Sequence, residues 1–303
     1  MGTAALGGLY EPVDTEVAAM TVIEAVTSGV RYLDTAPFYG YGQAERILGS
    51  ALASTPAAEV VVSTKVGHVL GERVVDAEPG GLFRSRETRT VRRGFGRADV
   101  EQTLAASLVR LGRDAVDIVY AHDAEGHLDE VMAQTLPTLD SIRQAGVTRA
   151  VGIAMSDVAE LVEIVSTGAV DCVLVAGRYS LLNQSAGDEL FGLCTEQGVA
   201  VVNAGVFNSG ILAGSSQTFD YAEASGPVAD RVAAISAVCT GYDVPLPMAA
   251  LHFARSHPAV SGILLGPRTP AELRDCQRYL DAPVDPALWD ELASRGLVPS
   301  GRP

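Results

Sequence analysis

Three successive apolar runs in this chain each stop on an ionisable side chain, and that repetition narrows what the chain can fold into. Val30–Leu33 leads into Asp34, Val60–Thr64 into Lys65, and Ile118–Ala121 into His122. Short runs rich in β-branched residues read as strands. Helical patterns separate them, and the alternation of strand and helix continues to the end of the chain, eight times in all. Alternation of this kind specifies a parallel sheet flanked by helices, an α/β fold. Eight is the number of units that closes as a (β/α)8 TIM barrel, which takes ~250 residues. The 303 residues are therefore read as one domain over 1–303. In a parallel barrel all C-terminal strand ends share one face, the face that carries chemistry. Asp34, Lys65 and His122 are expected there, together with Tyr39, which follows Pro37 on the loop after Asp34.

The expected strands are Thr3–Leu6, the three runs above, Ala150–Ala154, Cys172–Val175, Val199–Asn203 and Val260–Leu264. The expected helices are Asp14–Thr27, Gln43–Ala53, Arg97–Leu111, Leu128–Gln144, Val158–Ser166, Ala186–Gln197, Val228–Thr240, Pro247–Ser256, Thr269–Tyr279 and Pro286–Arg295. Asp14 suits the N-cap of the first helix and Gly29 its close. Val66–Gly96 shows no periodicity, and Ala204–Pro227 reads as a glycine- and serine-rich loop.

The formal charge of −15 repels nucleic acid and anionic membranes. No run of ~18 apolar residues suggests a membrane span, and the N-terminus lacks the pattern of a signal peptide. Cys172, Cys194, Cys239 and Cys276 stand far apart, which argues against a zinc site or disulfide framework. A cytoplasmic protein, monomeric or a small homo-oligomer, is the expectation. Among 22 basic side chains Lys65 is the only lysine. Where arginine is otherwise universal, a lysine at a strand end marks a compact point charge that arginine does not readily replace.

Asp34-Thr-Ala-Pro-Phe-Tyr39-Gly40 with Glu45, Ser63-Thr-Lys65-Val-Gly67 and Tyr120-Ala-His122-Asp123 together resemble the aldo-keto reductase superfamily. Leu6-Gly-Gly-Leu-Tyr-Glu-Pro12, Ala176-Gly-Arg-Tyr-Ser-Leu-Leu182 and Asn208-Ser-Gly-Ile-Leu-Ala213 look like its branch of aldose and pyridoxal dehydrogenases. The resemblance runs nearly end to end. It implies an NAD(P)(H)-dependent oxidoreductase moving hydride to or from a carbonyl, lactol or alcohol carbon of a small molecule.

The chemistry fits the four residues. Hydride transfer at a carbonyl carbon needs a proton partner on the oxygen, and Tyr39 is the candidate: acid in reduction, base in oxidation. A free phenol has a pKa of ~10, and a nearby cation favours the phenolate. Lys65 supplies that cation, Asp34 keeps the lysine charged, and His122 positions the substrate oxygen. Taken singly, each residue has a plainer role as cap, packing or structural hydrogen-bonder. Glu45 reads as a first-turn anchor and Asp123 as structural.

The resemblance also places a cofactor. Asn208, Ser209, Gly210 and Leu212 would lie against the pyrophosphate, and Tyr179 would stack under the nicotinamide. Gly266, Arg268 and Glu272 begin the last strand–helix unit, where barrels often bind phosphate. Arg268 suits the 2′-phosphate of NADP(H), favoured here over NAD(H). Glu272 would face the adenine end, although Thr269 and Glu272 also form a plain capping box. Three positions depart from the family. Ser156 stands where asparagine is usual, Ala176 where glutamine is common, and Cys276 where asparagine meets adenine. At ~0.5–1.5 kcal/mol per lost hydrogen bond, these weaken cofactor binding unless other contacts replace them. The alternative they raise is a non-redox acid–base enzyme on the same barrel, for elimination, isomerisation or cyclisation. A non-enzymatic binding subunit conflicts with the four intact residues.

Seven arginines (Arg73, Arg84, Arg86, Arg89, Arg92, Arg93 and Arg97) crowd the segment after Lys65 in an otherwise acidic chain. They read either as a solvated lid or as a clamp for an anionic substrate. His68, Phe83 and Phe95 are softer candidates for the substrate wall.

Overall fold

The computed structural model describes residues 1–55, 59–75, 81–85, 88–214, 216–220 and 222–300. The chain divides into two compact units. One is Met1–Met155 with Thr167–Cys172 and Leu265–Leu273; the other is Ser156–Ser166 with Val173–Leu264 and Arg274–Pro303.

In the first unit, Asp14 caps α1 (Thr15–Thr27) by accepting hydrogen bonds from the amides of Glu16 and Val17. Ala18, Val22, Ala25 and Val26 recur at helical spacing and are buried, and Gly29 closes the helix at φ 103°. Then come β1 (Tyr32–Asp34), α2 (Gln43–Ala53) and β2 (Val61–Val66), with β1 and β2 parallel and Asp34 opposite Ser63.

The segment expected to lack structure forms an antiparallel hairpin, β3 (His68–Val75) and β4 (Thr88–Arg93). Its register slips between Leu70 and Val74, where a Cβ on Gly71 would lie 2.1 Å from Thr90 Oγ1. A bulge at a glycine hides period-two alternation, which is why the hairpin is silent in the sequence. Next come α3 (Arg97–Leu111), β5 (Ile118–His122), α4 (Leu128–Glu130), a widened π turn over Val131–Thr135, α5 (Leu136–Gln144) and β6 (Ala150–Met155). Pro137 lacks an N–H, so the wide turn precedes a rung that could not form. The strand order is β1-β2-β5-β6, all parallel, with Lys65 opposite Tyr120 and His122 opposite Ala154.

The first expected strand, Thr3–Leu6, is displaced. Gly2 makes the bridge to Asp34 instead, with its amide 2.7 Å from Leu265 O, while Asp34 N donates to Met1 O and Thr3 N to Asp34 O. The chain then turns into a 3₁₀ segment over Ala5–Gly7. Close backbone approach explains the turn. A Cβ on Gly40 would lie 2.4 Å from Gly7 O, and one on Gly7 would lie 2.7 Å from Tyr39 C. The two glycines let the loop that carries Tyr39 rest directly on the N-terminal backbone.

The second unit contains α6 (Val158–Ser166), β7 (Cys172–Ala176), α7 (Glu189–Gln197) and β8 (Ala200–Ala204). The expected glycine-rich loop holds a 3₁₀ turn, Ile211–Ala213, and a short ribbon of β9 (Thr218–Phe219) and β10 (Ala222–Glu223). Then come α8 (Gly226–Gly241), α9 (Leu246–Arg255), β11 (Val260–Leu264), α10 (Pro270–Asp281, whose first residues to Leu273 belong to the first unit) and α11 (Ala287–Ser294). β8 and β11 pair in parallel, and the buried Asn203 amide donates to Tyr179 O and Ala254 O, each at 2.9 Å. No single helix among the described residues is long and apolar enough to cross a membrane.

Candidate active site

Parallel pairing with matched register brings the ends of β1, β2 and β5 together. Asp34 ends β1, Lys65 is the penultimate residue of β2, and His122 ends β5. Side chains two apart on a strand point the same way, so Ser63 and Lys65 both reach Asp34. Lys65 Nζ donates to Asp34 Oδ2 at 2.6 Å and to Thr35 O at 2.9 Å, and Ser63 Oγ donates to Asp34 Oδ1 at 2.7 Å. Asp34 is 0% and Lys65 1% exposed, so this ion pair is held away from water with both carboxylate oxygens occupied. The ammonium lies over the Tyr39 ring, 4.6 Å from its centroid. The Tyr39 and His122 rings meet edge to face at 5.8 Å. All four expected residues thus gather within the first unit.

Two further phenols lie beneath. Tyr32 OH is 2.9 Å from Ser63 Oγ and 3.1 Å from Tyr120 OH. Burial, then the charge of Asp34, holds Tyr32 protonated well above the ordinary phenol range. Burial, then Tyr32, does the same to Tyr120. Neither is a proton donor for chemistry; they buttress Ser63. His122 is pushed well below the usual imidazole value, by burial first and then by the Lys65 and Arg93 charges. It is a neutral hydrogen-bonding group near pH 7.

Glu45 anchors the loop as expected. Fully buried in the first turn of α2, it accepts from Thr64 Oγ1 at 2.7 Å and Arg110 Nε at 2.5 Å. An aromatic wall surrounds Tyr39. Phe38 stacks on His68 at 4.4 Å and meets Phe83 at 5.2 Å, and Phe83 also contacts Tyr39 and Tyr41. Burial, followed by the influence of His122 and Arg93, lowers His68 to about 3. Phe95 belongs instead to the core, at 0% exposure.

The arginine-rich segment is largely tied down by local partners. Arg92 makes a two-pronged bridge to Asp99, and Arg97 pairs with Glu101. Arg93 donates to Asp123 O at 2.7 Å and His122 O at 3.3 Å, and Arg89 donates to the carbonyls of Gly71 and Glu72. Arg84 is exposed, and its amide donates to Gly8 O. Arg86 and the Arg73 side chain lie outside the described residues.

The expected cofactor residues fall in both units. In the first, Glu272 N donates to Thr269 Oγ1 at 3.2 Å, half of the expected capping box, and the Glu272 carboxylate accepts from Arg268 N at 2.7 Å, one residue before the cap. The Glu272 carboxylate is therefore engaged by its own helix start. Arg268 is half-buried, and its Nε has no hydrogen-bond partner among the described residues. Gly266 is exposed. In the second unit, Asn208, Ser209 and Gly210 have φ of 44°, 58° and 96°, a left-handed run in which the Asn208 amide donates to Gly205 O at 2.9 Å and the Gly210 amide to Phe207 O at 3.1 Å. Asn208 is 2% exposed, with Oδ1 unpartnered among the described residues. Leu212 is fully buried. Ser156 is half-buried, its carbonyl accepting from Arg178 Nε at 3.1 Å, and Cys276 is half-buried on α10. Tyr179 is 1% exposed, with its ring packed on Phe253, Phe191 and His257. In this arrangement it is a core aromatic, and stacking on a ligand would require it to be uncovered.

Ser63 and the two deep phenols were not anticipated. Ser63 could have been found, since it lies two residues before Lys65 on the same strand face. The Tyr32–Tyr120 contact spans 88 positions and leaves no local trace.

The model of the Aldo/keto reductase family matches residues 1–295. The chain is 36% identical to D-threo-aldose 1-dehydrogenase of Pseudomonas sp., over 99% of this chain and 94% of that protein. It is likewise 36% identical to pyridoxal 4-dehydrogenase of Microbacterium luteolum, over 98% and 93%. Among solved structures, an aldo-keto reductase from Bacillus halodurans superposes with a TM-score of 0.77 at 22% identity, over 99% of this chain and 92% of that one. The fold is the (β/α)8 barrel. These relatives give no support to elimination, isomerisation or cyclisation as the chain's chemistry. The match over nearly the whole length and the 36% identities show that the chain belongs to the aldo/keto reductase family and is an NAD(P)-dependent oxidoreductase.

Proposed function

We propose that Tyr39 is the proton donor and acceptor of this oxidoreductase, with Lys65, Asp34 and His122 as its supporting groups. The observation that carries the reading is the Lys65 ammonium, paired with Asp34 at 2.6 Å and poised over the Tyr39 ring at 4.6 Å. A cation so placed favours the anionic phenol. Asp34 balances that charge in a dry site. His122, neutral, offers a hydrogen bond to the substrate oxygen without competing to protonate it. In oxidation Tyr39 takes the hydroxyl proton; in reduction it returns one.

The nicotinamide, when bound, accepts or supplies the hydride. The residues present suit such a cofactor. In the second unit the buried Asn208, with Oδ1 unpartnered among the described residues, suits a polar group of the cofactor. In the first, Arg268, with a buried Nε unpartnered among the described residues just before α10, suits a 2′-phosphate. On that ground NADP(H) is the preferred cofactor.

The substrate we infer is a neutral aldehyde, lactol or secondary alcohol. Arg92, Arg93 and Arg97 are engaged by Asp99, the Asp123 and His122 carbonyls and Glu101, so they make no free anion clamp. The relatives named for D-threo-aldose and pyridoxal indicate where to begin. The test is NADPH or NADH formation by purified protein with a panel of aldoses, pyridoxal and their carboxylated analogues. Turnover of the neutral compounds with NADP⁺ supports the reading. Preference for the acids, or for NAD⁺, refutes the corresponding part.

A further inference from the structure

His122, one of the four catalytic candidates, also stands in a second cluster, with His68 and Asp123. Asp123 follows His122 and adopts φ 48°, a left-handed conformation uncommon for a residue with a side chain. The turn directs its carboxylate back toward two imidazoles. Asp123 Oδ1 is 3.5 Å from His122 Nε2, and Oδ2 is 3.6 Å from His68 Nε2. Those separations are too long for good hydrogen bonds. The other ring nitrogen of each histidine, Nδ1, is buried and unpartnered among the described residues. Both histidines are over nine-tenths buried, at 5% and 6% exposure. Two buried imidazoles without a close partner at either nitrogen are an unusual expense in a folded chain.

The separations match something else. Around a tetrahedral zinc ion with bonds of 2.0–2.2 Å, neighbouring donor atoms lie about 3.4 Å apart. One donor atom from each of His68, His122 and Asp123 lies within 4.8 Å of the others. The set, two nitrogens and one carboxylate oxygen, is that of an open zinc-type site with a fourth position for water or substrate. Asp123 is 39% exposed, which provides an entry path. Arg93 stands 3.8 Å from Asp123 Oδ2, but its bonds to the Asp123 and His122 carbonyls do not depend on that carboxylate.

We propose that His68, His122 and Asp123 form a binding site for a zinc-class divalent cation. An ion there engages His122, the residue proposed to hold the substrate oxygen, so metal and carbonyl substrate exclude one another. This consequence rests on the proposed role of His122; the binding itself does not.

The test is zinc titration of the purified full-length protein without cofactor, against a chromophoric chelator, with cobalt(II) as a spectroscopic stand-in. One equivalent is expected to bind. Asp123→Asn and His68→Gln should each weaken binding by at least about tenfold, since even an outer partner of a metal ligand is worth that much, whereas Tyr39→Phe should not. No stoichiometric binding, or binding indifferent to both ligand variants, overturns the site. If the variants do not fold, anomalous scattering at the zinc edge from wild-type crystals decides: an ion on these three residues supports the site, and one elsewhere overturns it. In turnover assays zinc should raise KM for the carbonyl substrate and leave kcat unchanged. Zinc that binds at the three residues without raising KM overturns the exclusion while leaving the site standing. Absence of any redox turnover would count against the proposed function alone.

Discussion

Asp34→Asn is the most informative single change to the buried pair. The wild-type carboxylate takes Lys65 on one oxygen and Ser63 on the other, at 2.6 and 2.7 Å, with Asp34 and Lys65 at 0% and 1% exposure. At an effective dielectric near 20, charges this close attract by about 6 kcal/mol before desolvation is counted. An asparagine nearly preserves the shape. Its oxygen can still accept from Lys65 and its amide can turn toward Ser63, but the ammonium loses its counter-charge. Leaving one member of a buried pair alone costs about 3–5 kcal/mol. Lys65→Met on top of Asp34→Asn removes the orphaned charge, so the double variant should recover at least about 2 kcal/mol of that loss. Ser63→Ala keeps the pair and should cost only about 1 kcal/mol. Urea unfolding followed by fluorescence of the buried Trp289 reads all four proteins. The reasoning is refuted if Asp34→Asn costs under about 1 kcal/mol, or if the double variant is no more stable than the single one.

Other expectations follow from the same geometry. Gly40→Ala places a Cβ 2.4 Å from Gly7 O at φ 59°, so it should cost more than about 1 kcal/mol and lower kcat by shifting Tyr39; an unchanged Tm and kcat would contradict this. The His68 imidazole is lowered to about 3 in the fold from about 6.5 when free, so its protonation favours the unfolded chain. Its contribution is full above about pH 6.5 and is lost as pH falls toward 3, by up to about 1.4 kcal/mol per unit. His68→Gln should flatten the acid limb of a Tm-versus-pH curve, and an unaltered limb would count against the burial argument. Arg268→Ala should raise KM for NADP⁺ at least about tenfold, the loss of one charge-assisted contact, and leave NAD⁺ kinetics alone; equal effects on both would remove Arg268 from the 2′-phosphate.

What could be read in the sequence was what local chemistry declares. Asp34, Lys65 and His122 stood out because each ends an apolar run, and parallel register then brings those ends together. Asp14 and the Thr269–Glu272 pair were legible because a helix start has unmet amides and few residue types meet them. The first strand was misplaced because Gly2, not the apolar run after it, makes the bridge, and the Gly7–Gly40 contact that shapes the turn joins residues 33 positions apart. The β3–β4 hairpin was hidden by its slipped register at Gly71. The arginine cluster left a lid and a clamp both open because sequence shows charge but not its partners. Asp99 and Glu101 are supplied by α3, and the Asp123 carbonyl by the turn after β5. Tyr179 fitted a stacking role by position, while its ring packs on Phe191, Phe253 and His257, the last two over 70 positions away in the chain.

The central claim concerns the Tyr39 hydroxyl, and single-turnover kinetics of Tyr39→Phe test it most directly. With saturating cofactor and an accepted substrate, the variant should bind both normally while the rate of nicotinamide reduction falls by about 10²–10⁴-fold, the usual worth of a positioned acid–base group. A variant whose chemical step stays within a few-fold of wild type would show that the proton travels another way.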